Sequence, residues 1–133
     1  MQSRERRTVQ RIHFDRPLRA TVANGKVGIV DLSISGARVQ HDFALTSGKQ
    51  MRLDFEWNSR RVILSCRVVR CRLEKSSEQQ AVTYLSGLRF TDGEEIRSSP
   101  LRDLIAEQVS QDLLDSRRRK QWDSILIVNP AVA

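Results

Sequence analysis

The chain reads as a small, mainly β domain, an antiparallel barrel or sandwich of six short strands with one helix behind it. Three observations predict this. Six β-prone runs recur at roughly ten-residue spacing, each bounded by turn-forming residues. The texture changes once, after Gly93, to apolar residues spaced four apart. A length of 133 residues supports one hydrophobic core and excludes a multi-domain enzyme.

The elements follow in order. Pro17 to Val22 alternates in period two, Asn24-Gly25 is a tight-turn signal, and Val27 to Ile34 resumes in extended character, which together predict a hairpin. Ser35-Gly36 breaks the pattern before a short run from Ala37 to Gln40, and Thr46 to Lys49 supplies the next turn. Gln50 to Trp57 and Arg61 to Leu73 read as strands separated by Asn58-Ser59, and Ala81 to Phe90 as a strand after the polar stretch Glu74 to Gln80. Ser98-Ser99-Pro100 offers a helix N-cap with proline in the first turn, and Asp103 complements the helix dipole. Leu101, Ile105, Val109 and Leu113 then form a stripe expected to pack on the barrel. Ser124 to Val128 is a short apolar tail that fits an added strand, a partner contact or a mobile end equally well.

The net charge of +7 is concentrated rather than spread. Residues 1–22 carry six arginines against Glu5 and Asp15, and residues 116–120 (SRRRK) carry four more cations, so the remainder is close to neutral. That pattern disfavours a uniform nucleic-acid coat and points to two local anion-attracting segments. Arg117 to Lys120 also suits a helix C-terminus, where cations meet the dipole. No apolar region follows the basic N-terminus and no run approaches 18 apolar residues, so neither a secretion signal nor a membrane span is expected. Cys66 and Cys71 fall on opposite faces of one regular strand and read as free thiols of a reducing, cytoplasmic compartment. With no paired-cysteine motif and with His13 and His41 far apart, no metal site and no cofactor are expected.

Two spaced sets carry chemistry, Arg7-Thr-Val-Gln-Arg11 and Asp31-Leu-Ser33-Ile-Ser-Gly36. Arg7 and Arg11 share a side whether the arm is helical or extended, about 13 Å apart in the latter case. Two guanidinium forks so placed suit a planar anion, since arginine pairs bidentately with guanine O6 and N7 or with phosphate oxygens. In an extended run Asp31 and Ser33 project together, a carboxylate able to accept from guanine N1 and N2 beside a hydroxyl, and Gly36 permits a positive-φ turn close to a ligand. The plainer alternative is that Asp31 and Ser33 make only local turn bonds.

These two sets resemble the signature elements of the PilZ domain family, RxxxR and [DN]xSxxG, in order and context. Ser65 to Arg72 and Gly87-Leu88-Arg89-Phe90 are similar to later strands of that family, so the likeness spans roughly residues 4 to 115. It implies a six-stranded antiparallel PilZ-type β-barrel with an N-terminal arginine arm and a C-terminal helix: arm 1–15, barrel 16–93, helix 94–122 and tail 123–133. It further implies a bacterial receptor for the second messenger cyclic di-GMP, with Arg7 and Arg11 on guanine and phosphate and Asp31, Ser33 and Gly36 on a guanine edge. The residue preceding RxxxR is Arg6, similar to that of members binding two stacked ligands. The expected output is arm closure relayed to a downstream protein effector.

Other functions fit less well. A small basic barrel binding nucleic acid is the alternative prompted by pI ≈ 10.4, but the seven aromatics form no strand that interleaves stacking rings with basic residues. No HExxH, P-loop, GxGxxG or nucleophile motif supports an enzyme.

Overall fold

The structure, a computed structural model, describes residues 9–76 and 82–128. Six strands come first, β1 (Ile12–Val22), β2 (Gly25–Leu32), β3 (Gly36–His41), β4 (Gln50–Trp57), β5 (Arg60–Ser76) and β6 (Val82–Phe90); two helices follow, α1 (Gly93–Ser98) and α2 (Leu101–Val128). All strand pairings are antiparallel, in the order β1-β2-β3-β6-β5-β4, and β4 returns to β1 at Ala20 to Val22, so the sheet closes on itself. β1 begins at Ile12 and takes in residues 12–15, which the sequence allotted to the arm.

Alternation along the strands builds the interior. Val22, Ile29, Val39, Leu53, Val62, Leu64 and Cys66 are wholly buried, and all belong to one cluster. Two two-residue turns join β1 to β2 and β4 to β5. The first is centred on Ala23 and Asn24, with φ of 50° and 66°, and Val22 faces Gly25 across it. It therefore lies one residue earlier than the Asn24-Gly25 signal indicated. Gly25 instead opens β2, where the ring of Phe43 occupies the space of a Cβ. The second turn is centred on Asn58 and Ser59, both also at positive φ, as the sequence placed it.

Two expectations are corrected by local geometry. Val68 pairs with Leu88 and Arg70 with Gly87, so Val69 is an extra residue in β5. This bulge resets the alternation, and Cys71 packs against the core on the same side as Cys66. The helical stripe also packs over a shorter length than expected. Leu101, Leu104 and Ile105 are buried in the core cluster and Val109 is partly so, but Leu113 is 59% exposed. At 1.5 Å per residue α2 is about 42 Å long, and its side chains from Ser110 to Lys120 are exposed except half-buried Asp115. The backbone stays helical through Ser124–Val128, the segment whose conformation the sequence left open.

The short helix α1 was not foreseen as a separate element. Asp92 caps it, its carboxylate accepting from the backbone N–H of Glu94 (3.0 Å) and Glu95 (3.3 Å). Glu95 then anchors α1 to β5 by accepting from Ser65 N–H (2.7 Å) and the Ser65 hydroxyl (3.2 Å), and it pairs with Arg52 at 3.3 Å. Ser99 ends α1 and its hydroxyl accepts from Leu101 N–H (3.2 Å), so one residue stops the first helix and starts the second. Among the described residues no helix is long and apolar enough to cross a membrane.

Candidate functional site

The site is built where β2 ends and turns into β3. β2 stops at Leu32, and Ser33 N–H donates to Gly36 O (2.9 Å) to close a tight turn. Ser33 is buried; its hydroxyl accepts from Ser35 N–H (3.1 Å), is hydrogen-bonded to the Ser35 hydroxyl (2.9 Å) and donates to Gly36 O (3.4 Å). Ser33 therefore does not continue the strand beside Asp31; its hydroxyl holds the turn. Among the described glycines only Gly48 has a positive φ, so Gly36 does not serve the turn through a left-handed backbone. A Cβ there would collide with the carbonyl oxygen of Leu88 on β6, and this close backbone approach is the reason for glycine.

Asp31 lies in the middle of a row across three strands. His13 of β1 and Arg38 of β3 are its register partners. His13 Nδ1 donates to Asp31 Oδ1 at 3.0 Å, and Arg38 Nη1 donates to Oδ2 at 3.4 Å. The carboxylate thereby fixes the guanidinium of Arg38 on the outer face.

Beside this row opens a cavity of about 800 Å³, within the range of small-molecule sites. Its lining includes Arg11, Ser33 and Gly36, so three of the six residues singled out in the sequence meet here. Asp31 is not on the wall and reaches it through Arg38, which is. Arg6 and Arg7 lie outside the described residues.

The cavity also contains residues that sequence reasoning missed, namely Arg38, Val69, Gly87 and Arg89. β3 pairs with β6 across almost fifty residues of chain, with Gly36 facing Arg89 and Arg38 facing Gly87. Arg38, two residues beyond Gly36, was legible as sharing its side of a strand. Arg89 and Gly87 were not, because no local pattern announces the β3–β6 join. The wall is thus cationic, with Arg11, Arg38 and Arg89 exposed around an opening that Val69 also lines.

Elsewhere, His41 has a serine partner that no motif signalled. Its Nδ1–H donates to Phe43 O, so Nε2 of the neutral ring accepts from the Ser86 hydroxyl at 2.8 Å. Ser86 is 1% exposed and His41 6%, so the pair is a buried polar contact between β3 and β6. Burial holds the imidazole below its ordinary pKa, against the opposing pull of the Phe43 carbonyl and Asp42. Among the described residues no three His, Cys, Asp or Glu side chains gather as a metal site.

Comparison with known proteins bears on most of the chain. Among solved structures, the PilZ domain with c-di-GMP of YcgR from Escherichia coli is similar at a TM-score of 0.57 and 15% identity, covering 83% of this chain and 98% of that one. An uncharacterized Legionella protein gives a TM-score of 0.47 at 19% identity, covering 82% of this chain and 98% of that one. No curated protein matches. At such identities the first likeness speaks for the fold alone. The sequence model of the PilZ domain, however, matches residues 5–107, which is most of the chain and takes in every residue of the site, and the chain therefore belongs to the PilZ domain family.

Proposed function

We propose that this protein is a non-catalytic receptor for cyclic di-GMP, binding two stacked molecules and relaying their presence to a partner protein through closure of the arm. The observation that carries the reading is the meeting of Arg11 with the Ser33 to Gly36 turn on one arginine-lined cavity. Cyclic di-GMP presents two phosphates and two guanine edges. Guanidinium forks match both, through phosphate oxygens or through O6 and N7. The similar PilZ domain of YcgR from Escherichia coli, solved with c-di-GMP, supports the choice of ligand.

Each residue has a role in this reading. Arg11 stands one position before β1, and Arg7, four residues earlier in the sequence, supplies the second guanidinium for guanine or phosphate. Asp31 stands beside the cavity, behind Arg38, and is still partly exposed. It accepts two hydrogen bonds within the protein, and a carboxylate has room for about four, so a guanine that extends past Arg38 finds capacity there for N1–H and N2–H. Ser33 and Gly36 shape the wall. Arg6 meets the second ligand, since two stacked molecules bring about four negative charges to one site.

Isothermal titration calorimetry with cyclic di-GMP tests this. Replacing Arg7 and Arg11 together by Ala removes two contacts worth about 1–3 kcal/mol each, and affinity falls about 30-fold to 10⁴-fold. Arg6→Leu shifts the stoichiometry from two ligands per chain towards one. Unchanged affinity in the double variant refutes the site; a parent stoichiometry of one refutes only the stacked pair.

A further inference from the structure

On the outer face where β3, β6 and β5 run side by side, one residue is a glycine that the fold does not require. Gly87 lies in the interior of β6, with Arg38 of β3 as its register partner on one side and Arg70 of β5 on the other. A Cβ built at Gly87 would meet no atom within 4 Å. Its φ is not in the left-handed region. The bulge opposite is made by the extra Val69 on β5 and leaves this space open. Gly36 shares that backbone conformation but differs in the space around it, because there the backbone of β6 excludes a side chain. A glycine in a strand interior weakens the strand and often marks a bulge or a place where something else approaches the backbone; the bulged residue here is Val69 of β5, not Gly87.

The space above Gly87 belongs to the cavity already described, which Arg38, Arg89 and Val69 also line. Neighbouring strands lie about 4.8 Å apart, so Arg38 and Arg70 bound a strip roughly 10 Å wide with no side chain at its centre. Val69, 58% exposed, adds an apolar surface beside it. Such a strip accepts a flat aromatic ring face down on bare peptide and Val69, with guanidinium donors at the ring's edges. A ring so placed buries its face, and its carbonyl and ring nitrogens meet the arginines.

We infer that Gly87 is a specificity-determining residue, the floor on which one guanine base of the ligand lies, with Arg38 at the edge of that base. The inference rests on the reading of the site as a cyclic di-GMP site and adds to it a position outside both sequence motifs.

The test is calorimetric titration of cyclic di-GMP into the parent, G87V, G87A and R38Q, with a thermal melt of each. G87V is expected to melt at or above the parent temperature, since its side chain enters open space and valine favours strands, and to bind at least about tenfold more weakly. G87A shows a smaller loss in the same direction, and R38Q loses about 5- to 150-fold. If G87V melts well below the parent, the comparison is made on G87A and R38Q. A parent that binds while the glycine variants bind within twofold of it overturns the floor and leaves the site standing. A parent that binds no cyclic di-GMP overturns both together.

Discussion

Replacement of Gly36 by alanine tests the close approach on which the site's wall depends. A Cβ at this position collides with the Leu88 carbonyl oxygen and comes within 3.2 Å of Leu88 C and 3.3 Å of Arg89 Cα. All three are backbone atoms of β6, so no rotamer change relieves the contact; β3 and β6 must separate locally. Such overpacking costs about 1–3 kcal/mol. Separation also loosens the bond from Phe90 N–H to Ser35 O (3.0 Å), worth about 1 kcal/mol. Against this, alanine reduces the freedom of the unfolded chain, a gain of about 0.4–1 kcal/mol. The net expectation is a loss of about 1–3.5 kcal/mol, or roughly 4–13 °C in melting temperature for a chain of this size. Circular dichroism melts and urea midpoints of G36A beside G87A measure it. An equally stable G36A refutes the steric account of Gly36, and a strongly destabilised G87A refutes the claim that its Cβ space is free.

Two further outcomes follow from buried groups. Burial pushes the Cys66 thiol up to about 11, and it has no exposed surface, whereas Cys71 is half-buried; iodoacetamide at neutral pH therefore labels one thiol per folded chain, Cys71, and reaches Cys66 only in denaturant, as peptide mapping will read. For His41, whose folded pKa lies below its ordinary value, acidification below about pH 6.5 lets the unfolded chain bind a proton that the folded chain refuses, so stability falls as pH drops towards the folded pKa, by up to about 1.4 kcal/mol per pH unit. Urea midpoints between pH 7.5 and 5 check this, and a slope in H41Q as steep as in the parent would assign the effect to other groups.

The strands were legible because their interior is one-sided: alternation at Val22, Ile29 and Leu53 is a local signal that the closed sheet preserves. Irregularity was not legible. The bulge at Val69 depends on how β5 meets β6, and nothing within Ser65 to Arg72 announces that Cys71 will face the same way as Cys66. The tight turn falls on Ala23 and Asn24, one residue before the Asn24-Gly25 signal, and Gly25 is instead packed against Phe43, a partner almost twenty residues away that no local pattern announces. Leu113 continues a perfect i+4 series, yet whether a stripe is covered depends on where the barrel surface ends, a property of the assembled body. The same division holds at the site. Arg11, Ser33 and Gly36 were found by spacing, while Arg89 and Gly87 joined them only through the order β3-β6-β5.

That order also governs how stability and affinity are coupled. The cavity draws on Arg11 before β1, on the turn between β2 and β3, on Val69 in β5 and on Gly87 to Arg89 in β6, so a ligand there ties together segments that meet only in the closed sheet. A ligand selective for the folded state at 100 times its Kd adds about 2.7 kcal/mol of stability, comparable to the cost expected for alanine at Gly36. The two glycines then separate by physical cause. Gly36 acts through the join itself, so its substitution lowers melting temperature and affinity together, and ligand recovers part of the lost stability. Gly87 acts only through the space above the join, so its substitution lowers affinity while the ligand-free melting temperature stays or rises. One cavity thus contains a glycine required by the protein's own backbone and another whose requirement comes from what the cavity receives.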